Sequence, residues 1–168
     1  MKQFLGIDIA KDSLIETIKG VDGVFMNDAE LRALTGQSNM IKAAREVLTW
    51  GPRIVIAKQG EYGAALITED SFFSIPAYPL EDVIDPTGAG DSFAGGFLGY
   101  ISQHVAEGGE LDDDAFRRAM TYGSTMASFN VENFGTERVR DLSTDEIVDR
   151  FAGFISITRF EEVAATLR

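Results

Sequence analysis

Asp85-Pro86-Thr87-Gly88-Ala89-Gly90-Asp91-Ser92-Phe93-Ala94-Gly95-Gly96 places a carboxylate on each side of a glycine-rich turn that leads directly into apolar sequence. Gly88 and Gly90 can take backbone angles closed to other residues and let an anion approach the main chain. The N–H groups of Gly88, Ala89 and Gly90 then point at that anion, helped by the positive end of the helix that follows. Asp91 is out of place beside an anion unless its charge has a use. In phosphoryl transfer it has one: amides and metal hold the donor phosphate while a carboxylate takes the proton of the attacking hydroxyl. The plainer alternative is a strand-to-helix turn on which Asp91 merely complements the helix dipole.

Taken whole, with both carboxylates and the small residues after Phe93, the string resembles the C-terminal signature of the ribokinase-like (PfkB) carbohydrate and nucleoside kinases. The resemblance implies ATP-dependent phosphotransfer to a hydroxyl of a small sugar, with a nucleoside as the alternative acceptor. It implies Asp91 as the base, the amides of Gly88, Ala89 and Gly90 on the transferring phosphoryl group, and Thr87 beside the nucleotide. It also implies that Asp85 helps to form a site for a monovalent cation such as K⁺, with capping of the turn as the alternative. Pro86 departs from the commoner threonine or serine there, which weakens the cation inference more than the catalytic one.

Asn27-Asp28-Ala29-Glu30 follows an apolar run, at the carboxyl end of an expected strand, where open α/β sheets bind ligands. The three-residue spacing makes Asn27 an N-cap and Glu30 its reciprocal partner. Resemblance to the family's Asn-x-x-Glu motif adds a second role, organising Mg²⁺ and its waters near the phosphates, and the two roles are compatible. One carboxylate suffices, because Mg²⁺ keeps several waters. Lys58-Gln59-Gly60-Glu61-Tyr62-Gly63 follows a second apolar run and resembles the family's nucleotide-contacting strand end. Lys58, Gly60 and Gly63 are the candidates there, against a hairpin turn with a solvated lysine. Asn130 falls in a region that packs beside the adenine in the family. It could touch the base, but capping its helix is the favoured role.

Positioning these residues requires alternating strands and helices. Phe4–Ile9 is a short apolar run, Asp12–Lys19 a helix candidate and Val21–Met26 a second apolar run. Helices are expected over Asp28–Leu34, stopped by Gly36, and over Asn39–Trp50, where Ile41, Ala44, Val47 and Leu48 share a face. Arg53–Lys58 reads as a buried strand, and Ala64–Thr68 with Phe72–Ile75 as a hairpin. Phe93, Phe97, Tyr100 and Ile101 form one helix face; Phe116, Ala119, Met120, Gly123, Met126 and Ala127 form the stripe of another. Ser143 and Glu146 open a last helix as a capping box, running towards Phe151. The expected fold is a three-layer α/β/α ribokinase-like domain with a mostly parallel sheet.

Composition narrows the chemistry further. The 168 residues carry 27 acidic and 15 basic side chains, a net charge of −12, which argues against nucleic acid and anionic membranes as partners. There are no cysteines, so disulfides and thiolate metal sites are excluded. The single His104 rules out a histidine-rich metal centre. Asp8, Lys11 and Asp12 interrupt the first apolar run, so no leader is read there and the cytoplasm is the expected compartment.

The family pattern is matched only in its C-terminal half. Residues 1–168 are therefore expected to form a single partial domain, the nucleotide-binding half, without the N-terminal half and its lid. Such a chain is expected to self-associate or to pair with a complementing N-terminal half. It could retain nucleotide binding without turnover, as a binding or interaction module.

Overall fold

The computed structural model describes residues 11–159. The apolar run at 4–9 lies outside the described residues. After a helical stretch over residues 11–18, the chain forms β1 (Gly23–Asn27), α1 (Asp28–Thr35), α2 (Met40–Leu48) and β2 (Ile54–Lys58). A 3₁₀ turn at Gly60–Tyr62 leads to β3 (Ala64–Ile67) and β4 (Phe72–Ile75). The helices α3 (Ala89–Ala106), α4 (Asp113–Asn130), α5 (Glu137–Arg140) and α6 (Thr144–Thr158) complete the described chain.

The strands lie in the order β1-β2-β3-β4. β1 and β2 are parallel, joined by the α1–α2 crossover, whereas β2–β3 and β3–β4 are antiparallel. The sheet is thus mixed among the described residues, and its parallel part is the β1–β2 pair. The Glu69-Asp70-Ser71 turn is too short for a crossover, so β3 and β4 have to run antiparallel.

Alternation along each strand sends side chains to two cores. Val24, Met26, Val55, Ala57, Ala65 and Ile67 face Leu31 and Leu34 of α1 and Ala43, Ala44 and Val47 of α2. Ile54, Ile56, Ala64 and Leu66 face Phe93 and Phe97 of α3, Ala119 and Met120 of α4, and Phe154 of α6. Helices therefore cover both faces, giving the three layers. β2 is buried on both sides, which explains its unbroken Ile-Val-Ile-Ala run. Phe25 joins the second core edge-on to Phe97, with ring centroids 5.3 Å apart. Truncating a core phenylalanine such as Phe97 to alanine would cost about 3–5 kcal/mol.

The helix caps follow the expected chemistry. Asn27 and Glu30 cap each other at the start of α1, Asn39 caps α2, Asp112 caps α4, and Ser143 with Glu146 forms a second capping box at α6. α1 ends at Gly36 in the left-handed conformation. α2 is shorter than the periodicity suggests, because residues 49–51 close the helix as a turn before Pro52. α6 runs past Phe151 to Thr158.

α3 and α4 approach closely enough to bring the ends of both helices to one place. A Cβ on Gly96 would come within 2.7 Å of the Tyr122 carbonyl, and one on Gly123 within 2.9 Å of the Phe93 carbonyl. Glycine at the crossing is what permits this separation.

Candidate active site

The carboxyl ends of β1 and β2 carry Asn27 and Lys58, which are register partners. They open onto a cleft of about 820 Å³, lined also by Gly60, Gly63, Ala89 and Gly90. Six of the sequence-derived candidates therefore share one cavity. Glu30, Asp85, Thr87, Gly88, Asp91 and Asn130 do not line it: Glu30 and Asp91 are exposed near its mouth, and Asn130 is buried beneath the glycine turn.

The turn leaves two main-chain donors unengaged. Gly88 is left-handed, φ 82°, and serves as the N-cap of α3 without any side-chain cap. The Ala89 N–H turns back to the Pro86 carbonyl at 3.2 Å, and those of Asp91 and Ser92 reach the Gly88 carbonyl at 3.1 and 2.9 Å. Among the described residues the N–H groups of Gly88 and Gly90 take no partner. The amide of Ala89, one of the expected donors, is thus spent within the turn, and Gly88 and Gly90 are the donors left over.

Lys58 supplies the positive charge. A Cβ on Gly90 would lie 2.6 Å from its Nζ, so the ammonium sits directly against the bare backbone of Gly90. Asp91 stands in the first turn of α3, exposed, where the dipole favours its carboxylate.

Asp85 caps the turn. Its Oδ1 accepts the Thr87 N–H at 2.9 Å. The Thr87 amide, then the Thr87 hydroxyl and more weakly the Gly135 amide hold its carboxyl below the usual aspartate range. Asn27 and Glu30 form the capping box in full: the Glu30 N–H donates to Asn27 Oδ1 at 2.7 Å, and the Asn27 N–H donates to Glu30 Oε2 at 2.9 Å. Glu30 Oε1 and the Asn27 amide nitrogen take no partner among the described residues, so the box leaves polar atoms for a second role. No group of three or more acidic or histidine side chains able to hold a metal occurs among the described residues. The free Glu30 carboxylate oxygen could fill only part of a cation's shell, which fits an ion such as Mg²⁺ that keeps several waters.

Packing adds to the sequence reading at Gly63 and departs from it at Asn130. Gly63, φ 95°, has the chain at Ile75–Ala77 where a Cβ would be, so glycine there is required by packing as well as by the cleft. Asn130 is the last residue of α4, yet it does not cap the helix. It is 1% exposed and its amide bridges back to the glycine turn.

The cleft wall contributed by Ala77, Tyr78, Pro79 and Leu80 was not singled out from sequence. The signal available was an apolar Ala-Tyr-Pro-Leu run in a loop, where exposed apolar residues need a reason. Tyr78 is fixed from behind. The Arg150 guanidinium lies 4.7 Å from its ring centroid and 3.9 Å from that of Phe129, and donates to Glu132 at 2.6 Å. His104 stacks on Tyr100 away from the cleft and contacts the Glu110 carbonyl at 3.0 Å, a structural helix residue.

An α/β/α domain that brings unengaged amides at a helix N-terminus, a strand-end lysine and an exposed carboxylate to one end of its sheet is an arrangement able to accept an anion. Residues 3–141 match the pfkB family carbohydrate kinases, and the chain belongs to that family. It is 43% identical over 95 residues to a cytidine kinase of Thermococcus kodakarensis, covering 55% of this chain and 34% of that protein. It is 33% identical over 144 residues to a nucleoside kinase of Methanocaldococcus jannaschii, covering 84% and 42%. The fold superposes with TM-score 0.75 and 25% identity on aminoimidazole riboside kinase from Salmonella enterica, solved with aminoimidazole riboside and an ATP analog, over 86% of this chain and 47% of that one. The chain thus spans less than half the length of the relatives it matches. No helix among the described residues is long and apolar enough to cross a membrane.

Proposed function

We propose that this chain forms the ATP-handling part of a kinase that phosphorylates a hydroxyl of a small sugar or nucleoside. The observation that carries the proposal is the pair of unengaged amides, Gly88 and Gly90, at the N-terminus of α3, with Lys58 against Gly90 and Asp91 next in the chain.

In this reading the γ-phosphate of ATP sits on the Gly88 and Gly90 amides, and Lys58 offsets part of its charge. Thr87 and the strand-end glycines Gly60 and Gly63 border the nucleotide. Asp91 accepts the proton of the acceptor hydroxyl as its oxygen bonds to the γ-phosphorus. The bond from that phosphorus to the β,γ-bridging oxygen breaks, and ADP leaves. Mg²⁺, if bound, would neutralise phosphate charge, and the side-chain oxygens of Asn27 and Glu30 would accept from its waters. Asp85 is the candidate for a monovalent cation such as K⁺. A nucleoside or other riboside acceptor is favoured by the activities of the relatives named above. Positioning of the acceptor supplies much of the rate in such a reaction, and that task falls to residues in the rest of the fold or to a complementing chain.

Calorimetric titration tests the reading. Mg·ATP should bind saturably and at least about tenfold more tightly than adenosine, since a charge-assisted phosphate contact contributes 1.5–3 kcal/mol or roughly that factor. A folded chain that binds neither would move the alternative, a non-catalytic interaction module, ahead.

A further inference from the structure

The amide of Asn130 joins the two ends of the phosphate turn. Its Nδ2 donates to the Thr87 carbonyl at 2.8 Å, and its Oδ1 accepts the Ser92 hydroxyl at 2.9 Å. Between those contacts lie Gly88 and Gly90, whose amides would hold the phosphate, and Asp91, which would take the proton. A Cβ on Gly88 would stand 3.5 Å from Asn130 Oδ1, so the amide also packs flat against the left-handed residue of the turn. The partners fix which atom is which: a carbonyl can only accept, so the nitrogen must face Thr87.

We propose that Asn130 is a positioning residue that sets the conformation of the Thr87–Ser92 turn from the opposite helix. The proposal rests on the kinase reading for its consequence but not for its geometry. Just before the turn, the Ile84 and Asp85 N–H groups reach the Val131 carbonyl at 2.8 and 3.4 Å, and residues 89–92 enter α3; at Thr87–Gly90 itself the other bonds are the short-range ones to Pro86 and Gly88 and the Asp85–Thr87 contact. Asn130, by contrast, is 1% exposed in α4, a helix anchored across the second core by Ala119 and Met120. Two bonds over sequence separations of 43 and 38 residues transfer that rigidity to a glycine-rich segment. An amide is the group that does this. It donates at one end and accepts at the other, stays neutral beside an anion, and loses both bonds at large cost when buried without partners.

Asn130→Asp isolates the claim, because it preserves shape and the Ser92 bond but sets a carboxylate oxygen against the Thr87 carbonyl. Ser92→Ala is the companion variant, removing the second bond without burying a charge. The readouts are backbone amide exchange of the full chain and titration with Mg·ATP and with adenosine. Asn130→Asp should speed exchange over residues 87–92 by at least about tenfold, the equivalent of one or two net hydrogen bonds, with β2 and the body of α4 unchanged. Ser92→Ala should do the same more weakly. Mg·ATP affinity should fall by about the same factor while adenosine affinity holds. Unchanged exchange over 87–92 in a folded Asn130→Asp chain overturns the proposal, as does a parallel loss of adenosine binding, which would mark a base contact. If Asn130→Asp does not fold, unchanged exchange in Ser92→Ala overturns it. If the parent chain binds no ATP, the kinase reading falls, and the exchange data alone decide the positioning role.

Discussion

The ammonium of Lys58 rests on the Cα of Gly90, close enough that a Cβ there would come within 2.6 Å of Nζ. The clash is with the tip of a flexible side chain, and Gly90 lies in the first turn of α3 without a positive φ. Gly90→Ala should therefore fold. It should gain up to about 1 kcal/mol from reduced backbone freedom in the unfolded chain. The displaced ammonium and the narrowed approach to the amide should weaken Mg·ATP binding by at least about tenfold, the loss of one charge-assisted contact. Urea denaturation and calorimetry on the same sample check the pair of outcomes. A stable variant with unaltered ATP affinity would remove Gly90 from the phosphate site.

Asp91 projects from the same turn but is exposed and makes no side-chain hydrogen bond among the described residues. Asp91→Asn should accordingly leave the melting temperature within a few degrees of the parent, as surface substitutions do. In a complex that turns over, it should lower kcat by about 10²- to 10⁴-fold, the usual span for a general base. Steady-state kinetics with the complementing half supplied would test this, and a loss below tenfold would take the proton-accepting role away from Asp91.

The parts of this site that are local in sequence could be read from it; the parts made by packing could not. Both capping boxes follow from a three-residue spacing, Asn27 to Glu30 and Ser143 to Glu146, because one helical turn brings those positions together. The glycine turn and its carboxylates are contiguous. The second core was visible as stripes on α3 and α4. Asn130 was assigned to its own helix end because the contacts it makes are more than 35 residues away, through a crossing that Gly96 and Gly123 permit. Likewise, Arg150 gives no sign in sequence that it stacks on Tyr78 and Phe129 behind the cleft. The mixed sheet follows from the hairpin, which outweighs the single parallel pair among the described strands.

Gly63 and Gly60 separate two reasons for glycine in the strand-end segment. Gly60, φ 58°, has open space where a side chain would go, whereas a Cβ on Gly63 would run into the Ile75 carbonyl and the backbone of Pro76 and Ala77. Gly60→Ala should cost about 1 kcal/mol, the strain of a left-handed alanine. Gly63→Ala should cost more than about 3 kcal/mol, since backbone has to move as well. Chemical denaturation of both variants checks the order. Equal and small losses would show that β4 yields easily and that Gly63 is not a packing requirement.

Glu146 is the residue through which acid should loosen α6. Its carboxylate accepts the Ser143 N–H at 3.0 Å, the Ser143 hydroxyl at 2.8 Å and the Arg138 guanidinium at 2.6 Å. Led by the Ser143 amide, these contacts lower its pKa from 4.5 to about 2. The folded chain thus binds this proton more weakly than the unfolded one. The stabilisation is complete above pH 4.5 and is lost as the pH falls from there towards 2. Arg138 also donates to Glu132 at 3.1 Å, and Glu132 in turn takes Arg150, so protonating Glu146 frees one arm of the cluster that backs Tyr78. Glu146→Gln should be less stable than the parent at pH 7, and the gap should shrink as the parent is taken to pH 3. Denaturant midpoints measured for both proteins across that range give the test. A gap that stays constant down to pH 3 would mean that the contribution of Glu146 does not depend on its charge.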